Sequence, residues 1–525
     1  MDNKDSEAEI HPLKTEDVKA QENHENSVER RIVSKQSSRL SRLSRWRTAA
    51  FFISLFLCLI IVFAFSFIIP CPERPVSERT WFRNYDNAVA YQFLAIEDVN
   101  EDKVQDVIFA FKASNSSSSF NRSCLDEGSL PSPCAFVAAV SGTNGRALWE
   151  RPAAEEIEWM ECDIKQLGEA AVPGCLVVGK PVSLTTVALR TGEVLWRQSS
   201  DFGANYTVLT PVSVIPDVDS DGVQDLIIFI ATGDKVSGLS LKIPLQLYDA
   251  SPKNIVDLPD LENHRVHSKG RITYLLHYCF LCAENSLYAY SLKDLYSAAT
   301  GMEIKLPSLE QDPQWEKNID RTTHRLSLLS SGDIRYLAKI PGRSRENILV
   351  VNSEMAALIN AQNLQTLWTL NTSRVFFFFL PSVQWDLKLN SRAKSPGPAT
   401  LSTADHRSAF LIWGEYQVPG NETVTPLQKL YLFHPSYTNV LLELRNSTDQ
   451  IIAFNATLFE RSRHACYVLL RGPQPSEEPG PVSLMKRKLK EDVSESRVIW
   501  LSQVAVDSEQ YIRDRLYRMR FHSRA

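Results

Sequence analysis

Neither charge sign is in excess in this 525-residue sequence: 57 Lys and Arg stand against 62 Asp and Glu, for a formal net charge of −5. A nucleic-acid binder announces itself by a basic footprint, and nothing here points to one. The sequence also lacks Gly-x-Ser-x-Gly, His-Glu-x-x-His and a Gly-rich phosphate loop, so the hydrolase, metalloprotease and nucleotide-cradling classes have no motif to rest on. Three more absences are local. Before residue 49 there is no cysteine, no N-glycosylation sequon and no aromatic residue except Trp46. That segment holds ten Lys/Arg and nine Asp/Glu, too little apolar surface to offset its conformational entropy, and 1–48 is read as a disordered tail.

Charge is missing altogether from residues 49–69, "AAFFISLFLCLIIVFAFSFII". A helix of that length spans about 30 Å, the thickness of a bilayer's hydrocarbon core. Arg39, Arg42, Arg45 and Arg47 precede it, while Glu73 and Arg74 nearly cancel after it. Basic residues stay on the cytoplasmic side, so a type II signal-anchor is expected, with 70–80 as a short stalk and 81–525 outside. The apolar run is too long and too far from the N-terminus for a cleaved signal peptide. All seven sequons (Asn115, Asn121, Asn205, Asn371, Asn421, Asn446 and Asn455) follow the span. So do eight of the nine cysteines, Cys58 lying within it. Disulfides are therefore expected. Cys124 and Cys134 flank one loop and Cys162 and Cys175 another, and each two are paired; Cys279 and Cys282 are a third pair. Cys71 and Cys466 are left over, and Cys71 joined to a second copy would make a homodimer.

Two acidic stretches interrupt apolar runs. In "SVIPDVDSDGVQDLIIFI", Asp217, Asp219, Asp221 and Asp225 occupy positions 1, 3, 5 and 9 of a loop, Gly222 sits at position 6 and the Val223 carbonyl is at position 7. Four carboxylates so placed repel unless a cation lies between them, and Ca²⁺ accepts six to eight oxygens in flexible geometry. The flanks are β-branched, so the loop is a turn between strands rather than an EF-hand. "FLAIEDVNEDKVQDVIFAF" places Asp98, Asn100, Asp102 and Asp106 in the same pattern, with Val104 at position 7. There one carboxylate is lost and Lys103 replaces the glycine, so weaker binding is expected. One or two structural calcium ions are implied.

A second unit recurs: strand, polar turn, strand ending in Leu-Trp. "VAAVSGTNGRALWE" (137–150), "TTVALRTGEVLWR" (185–197) and "AALINAQNLQTLW" (356–368) carry it, the last with Asn in place of Gly. "LQLYDASPKNIVDL" (245–258) and "LYLFHPSYTNVLLEL" (430–444) are looser copies. Each reads as a hairpin, and the Trp is expected between adjacent sheets. Such repetition over 81–525 predicts an all-β fold, a β-propeller of about seven or eight blades. "SVQWDLKLNSRAKSPGPATL" before residue 402 is short and irregular, so one blade is expected to be incomplete.

The Asp-x-Asp-x-Asp-Gly-x-x-Asp turn resembles the FG-GAP calcium loop of integrin alpha subunits, and "TGEVLW" resembles the repeat of quinoprotein-type propellers. With "MDNKDSEAEIHPLK", "FFISLFLCL" and "IPCPERP", the layout resembles a family of single-pass type II membrane proteins with integrin-alpha FG-GAP repeats. The resemblance implies a membrane glycoprotein of the cell surface or secretory pathway.

The reading is of a protein-binding membrane glycoprotein, not an enzyme, with an unidentified protein partner. A luminal folding or trafficking factor, and a propeller enzyme with an unrecognised site, are the alternatives. His264 and His267 are read as surface residues, "FFFF" at 376–379 as a buried strand, and Pro473–Pro481 as a loop. "DSEQYIRDRLYRMRFHSRA" reads as a short C-terminal helix. In "RLSRLSRWR", Ser41 and Ser44 sit among arginines, where phosphorylation would weaken contact with anionic lipid.

Overall fold

The computed structural model describes residues 37–68, 80–113, 123–125, 130–167, 172–181, 183–199, 206–215, 225–232, 235–241, 264–269, 272–279, 286–291, 317–318, 325–330, 334–341, 346–352, 355–361, 363–371, 386–389, 397–403, 407–417, 427–444, 450–459, 464–501 and 507–522. The chain divides into two compact units, Met1–Pro75 and Val76–Ala525. In the first, α1 (Ser37–Ile68) carries the apolar run, and it is long and apolar enough to cross a membrane. The helix begins 12 residues ahead of residue 49, so Ser41 and Ser44 fall on its leading turns.

The second unit is built from antiparallel sheets, and it starts with one strand shared by two of them. β1 (Trp81–Glu97) pairs through Ala88–Glu97 with β2 (Asp106–Ala113), which continues to β3 (Cys134–Val140) and β4 (Ala147–Ala154). β5 (Glu156–Leu167), β6 (Val172–Lys180), β7 (Ser183–Ala188) and β8 (Val194–Ser199) form the next blade. β9 (Tyr206–Ile215), β10 (Asp225–Thr232) and β11 (Lys235–Leu241) form a third. β12 (His264–Lys269), β13 (Ile272–Cys279), β14 (Ser286–Ser291) and β15 (Arg325–Ser330) form a fourth. The fifth is β16 (Ile334–Pro341), β17 (Glu346–Asn352), β18 (Met355–Asn360) and β19 (Thr366–Asn371).

In the sixth blade, β20 (Asp386–Leu389) and β21 (Ala399–Ser402) both pair with β22 (Ser408–Gln417), on its two halves. β23 (Leu427–Phe433) and β24 (Val440–Glu443) complete it. The irregular stretch is thus one inner strand broken in two, with Gly397 and Pro398 directly before its second half, and the blade is not missing a hairpin. The seventh blade is β25 (Ile451–Thr457), β26 (Cys466–Arg471) and β27 (Gly480–Lys488), closed by the first half of β1 from Trp81 to Ala88. After β27 come α2 (Leu489–Glu495), β28 (Arg497–Trp500), which adds to β24, and α3 (Glu509–Tyr517), capped by Ser508 as the helix pattern predicts.

The first strands are neighbours in turn: β1 beside β5, β5 beside β9, β9 beside β12, β12 beside β16, then β21 beside β25 and β25 beside β1. The fifth and sixth blades meet through Leu349, Val351 and Leu358 against Phe410, Ile412 and Tyr431. Among the described residues seven blades therefore form a ring, a β-propeller, with its core distributed between facing blades.

The repeated tryptophan makes one of these interfaces physical. Trp149 in β4 donates its indole N–H to the Leu189 carbonyl at 3.1 Å, in the turn of the next blade. In that turn Gly192 has φ +68°, and a Cβ there would lie 2.5 Å from the Trp149 ring. Trp81 repeats this on the first blade: its N–H reaches the Gly142 carbonyl at 3.0 Å, and its ring covers Gly145 at φ +72°. Both turns are closed alike, by Ala188 N–H to Glu193 O and by Ser141 N–H to Arg146 O. The 360–365 turn has the same closure, but the glycine position is held by Leu364 at φ +59°, and not by Asn363. Asn363 instead accepts the Gln365 N–H at 3.1 Å. The blade before it ends in "RLSLLS", without a tryptophan to dock.

This pairing predicts opposite signs for two substitutions. Gly192→Ala should destabilise by about 2–4 kcal/mol, because it adds a left-handed backbone penalty to a side-chain clash. Leu364→Gly should stabilise slightly, by up to about 1 kcal/mol, since it relieves a strained φ. Urea unfolding midpoints check both; equal effects would contradict the shared turn.

Candidate functional site

In each blade the turn from first to second strand and the turn from third to fourth lie at the same end, because the strands alternate in direction. The acidic stretch 98–106 is the first-to-second turn of the first blade, and the other stretch falls in the chain between β9 and β10. Trp81 lies at that end too, since it pairs with Lys486 near the end of β27.

The described turn is 98–106. Asp106 opens β2 and is fully buried. Its Oδ2 accepts the N–H of Val99 at 3.1 Å and of Asn100 at 3.4 Å, and its Oδ1 accepts the N–H of Gly142 at 2.9 Å. Burial pushes its carboxyl up to about 6, opposed by the Gly142 N–H bond and helped by the nearby Asp102 charge. Asp98 is likewise shifted up, chiefly by burial. Its Oδ2 accepts the Lys103 N–H at 3.0 Å, while its Oδ1 is buried without a hydrogen-bond partner. Asp102 accepts from Val104 N–H at 2.7 Å and from the Asn100 amide at 3.1 Å, and Asn100 accepts the Asp102 N–H at 3.1 Å. The turn needs left-handed backbone at Glu101 (φ +60°) and at Lys103 (φ +67°), the glycine position of the pattern.

These oxygens are directed mainly at backbone N–H groups. Among the described residues no three acidic, His or Cys side chains are grouped to hold a metal. Asp98 Oδ1 is the one unclaimed buried oxygen of the turn, so this donor set fits calcium only in part. Of the second turn, Asp217, Asp219, Asp221 and Val223 lie outside the described residues, and only the backbone of Asp225, at the start of β10, lies within them.

The turn is tied to the point where the ring closes. Gly142 gives its N–H to Asp106 and its carbonyl to Trp81 and to Lys486, whose buried Nζ donates at 2.6 Å. The Lys486 ammonium also stands 4.5 Å over the Phe459 ring, and the Phe459 carbonyl accepts Gln105 N–H at 2.9 Å. Lys486 and Trp81 were not singled out by sequence reasoning. Trp81 had a usable signal: it precedes the switch at Ala88 by seven residues, as Trp149 precedes Glu156, where the next inner strand begins.

The predicted disulfides Cys124–Cys134 and Cys162–Cys175 are present. Cys466 is a buried thiol in the core between the seventh and first blades. Cys279 ends β13 with its side chain outside the described residues, as are Cys71 and Cys282. Asn371 is exposed at the end of β19, whereas Asn455 is half-buried in β25 and its amide nitrogen donates to the Leu94 carbonyl at 3.2 Å. Asn115, Asn121, Asn205, Asn421 and Asn446 lie outside the described residues, as do 245–258 and 376–379.

A membrane-type apolar helix followed by a ring of seven antiparallel blades, with Trp-on-turn contacts at the junctions, defines the class of protein. The chain belongs to the FAM234A/B beta-propeller family, which matches residues 81–378 and 381–522. Protein FAM234A of Homo sapiens is 42% identical over 566 residues, covering 100% of both chains. Protein FAM234B of Gallus gallus is 26% identical over 537 residues, covering 90% of this chain and 83% of that one. Among solved structures, a quinohemoprotein alcohol dehydrogenase, ADHIIG from Pseudomonas putida HK5, aligns with TM-score 0.35 and 9% identity, covering 78% of this chain and 76% of that one. The RRP9 WD40 repeats align with TM-score 0.36 and 9% identity, covering 77% and 96%. At such scores neither says anything about activity.

Asp106→Ala should cost about 2–4 kcal/mol in chelator, because it strands buried N–H groups of Val99 and Gly142. Asp102→Ala, at a half-exposed position, should cost under about 1 kcal/mol. Denaturant melts of the two variants read the difference; similar losses would mean that Asp106 does not organise the turn.

Proposed function

We propose that this protein is a type II single-pass membrane glycoprotein that presents a calcium-containing β-propeller to a protein partner outside the cytoplasm. The observation that carries the reading is the combination of one apolar helix with a closed propeller that, among the described residues, bears two disulfides, both after the helix. Disulfides persist in oxidising compartments. A ring of rigid blades offers a wide face for binding, which is an inference from the fold alone. Cell-surface or secretory-pathway residence follows from the same topology. Phosphorylation at Ser41 or Ser44 would place negative charge on the leading turns of α1, among its arginines.

Topology is tested on sealed microsomes. Protease outside should remove only the N-terminal tail, and glycosidase should lower the mass of the remainder. Asn371 is the exposed acceptor of the two described; modification of Asn455 would have to displace its bond to Leu94. A protected N-terminus, or an unchanged mass after glycosidase, contradicts the topology. Proximity labelling on intact cells then reports the partner, and recovery of nascent membrane proteins alone would favour a folding role.

Calcium is proposed as a structural ion at Asp217–Asp225, with 98–106 the weaker site, at an affinity of about 0.1–1 mM. Millimolar calcium should raise the thermal midpoint by mass action, and chelator should lower it. Asp219→Ala should remove most of that shift and Asp102→Ala little of it. A melting curve indifferent to chelator at pH 7 removes calcium from both turns.

A further inference from the structure

The last forty residues carry a surplus of cations that the fold does not neutralise. Residues 486–524 hold ten Lys/Arg and six Asp/Glu, in a chain whose net charge is −5. Several are engaged. Arg487 pairs with Asp492, which also takes the Tyr467 hydroxyl, and this holds α2 on β26. Arg497 and the buried Lys429 share Glu443, tying β28 to the sixth blade. Arg513 pairs with Glu509 at 3.8 Å, and Asp514 accepts the Gln510 amide at 2.9 Å.

Lys488, Lys490, Arg518 and Arg520 have no ion-pair partner among the described residues. They are brought together by packing. Leu489 N–H bonds to the Ala465 carbonyl at 3.1 Å, setting the start of α2 beside His464. Ile512 and Leu516 bury α3 against Leu489 and Val493 of α2, and the Lys490 ammonium lies 4.3 Å over the Tyr517 ring. Phe521 bridges to Thr403 and His522 N–H bonds to the Ser402 carbonyl, so the chain after α3 is fixed, with Arg518 and Arg520 exposed on it. The cations are close enough to be felt locally: His464 is held below the ordinary imidazole range by partial burial and then by Lys490, Lys488 and Arg520. Tyr517, under the Lys490 ammonium, is itself 39% exposed. The exposed carboxylates of α2 are Glu491 and Glu495.

We propose that Lys488, Lys490, Arg518 and Arg520 form a docking surface for a sulfated polysaccharide chain. Guanidinium forks and ammonium groups on two separate segments suit a ligand with repeated sulfates, and the Tyr517 ring beneath Lys490 holds one of those ammonium groups in place. The remainder of the molecule is acidic, so a polyanion finds no general attraction and must use this patch. That the ligand is a sulfated glycan rather than an intracellular polyanion rests on the proposed topology; the affinity itself does not.

The test uses the full chain in detergent on heparin resin at about 0.1 M salt, where exposed charges more than about 10 Å apart are already screened. The protein should be retained and should elute only at higher salt, while fully desulfated heparin should not hold it. Arg518→Ser with Arg520→Ser should weaken binding about tenfold, which is the loss of two exposed charge-assisted contacts. Arg518→Lys with Arg520→Lys should keep most of it, and Lys488→Ser with Lys490→Ser provides an independent loss that leaves α3 untouched. The proposal is overturned if wild type passes through the resin, if both serine pairs elute with wild type, or if phosphatidylserine vesicles bind and heparin does not. Protease protection of microsomes reports topology separately, so a failure of either reading is visible by itself.

Discussion

The structure depends on one strand serving two sheets. A blade has two apolar faces and cannot cover either alone, so the blades must stack until the last meets the first. β1 makes that meeting covalent: Trp81 to Ala88 completes the seventh blade on β27, and Ala88 to Glu97 begins the first on β2. The interface thus created is one continuous core, in which Trp81, Tyr85, Phe109, Phe111 and Phe136 of the first strands meet Ile452, Val468, Leu470 and Leu484 of the last blade. Tyr85 leans on Phe111 at a centroid distance of 4.7 Å, and Phe111 stacks on Phe136 at 5.6 Å.

Polar groups secure the same junction. Gly142 is the common node: its N–H goes to Asp106 and its carbonyl to both Trp81 and Lys486. An acidic turn, a buried lysine and a tryptophan therefore share one peptide group, and each satisfies an atom that burial would otherwise leave unpaired. The C-terminal elements reinforce the neighbouring junction. α3 and Phe521 enter the core between the sixth and seventh blades, and Glu443 holds cations from β23 and β28.

Local pattern made much of this legible. The Gly…Leu-Trp hairpins are the third and fourth strands of their blades, both described disulfides join the cysteines that spacing pairs, and the short C-terminal helix is present with Ser508 as its cap. What sequence could not supply depends on partners distant along the chain. Nothing in "WFRNYDNA" says that it will lie against β27, because that partner lies some four hundred residues further along the chain. Leu364 gave no sign of a left-handed φ, since a bulky leucine is rarely found there; the turn imposes it. Asp106 fits the calcium pattern by position, yet three N–H groups occupy its carboxylate, one of them from Gly142 in the next hairpin. The spacing of acidic residues reports which oxygens are near, and tertiary neighbours decide what those oxygens bind.

Ring closure by β1 also fixes the setting of the 98–106 turn and of the C-terminal basic patch, since both lie at the end of the blades where β27 finishes and β1 starts. The most direct measurement of it is a cross-strand disulfide. Asn84 and Ser483 are register partners on β1 and β27, and neither is fully buried. Neighbouring strands bring such partners within disulfide reach. In the Asn84→Cys, Ser483→Cys double variant, a non-reducing peptide map should show the two new cysteines bonded, and the bond should stabilise by about 2–5 kcal/mol because it closes most of the propeller into one loop. Two thiols that remain open to alkylation in the folded protein would mean that β1 does not close the ring.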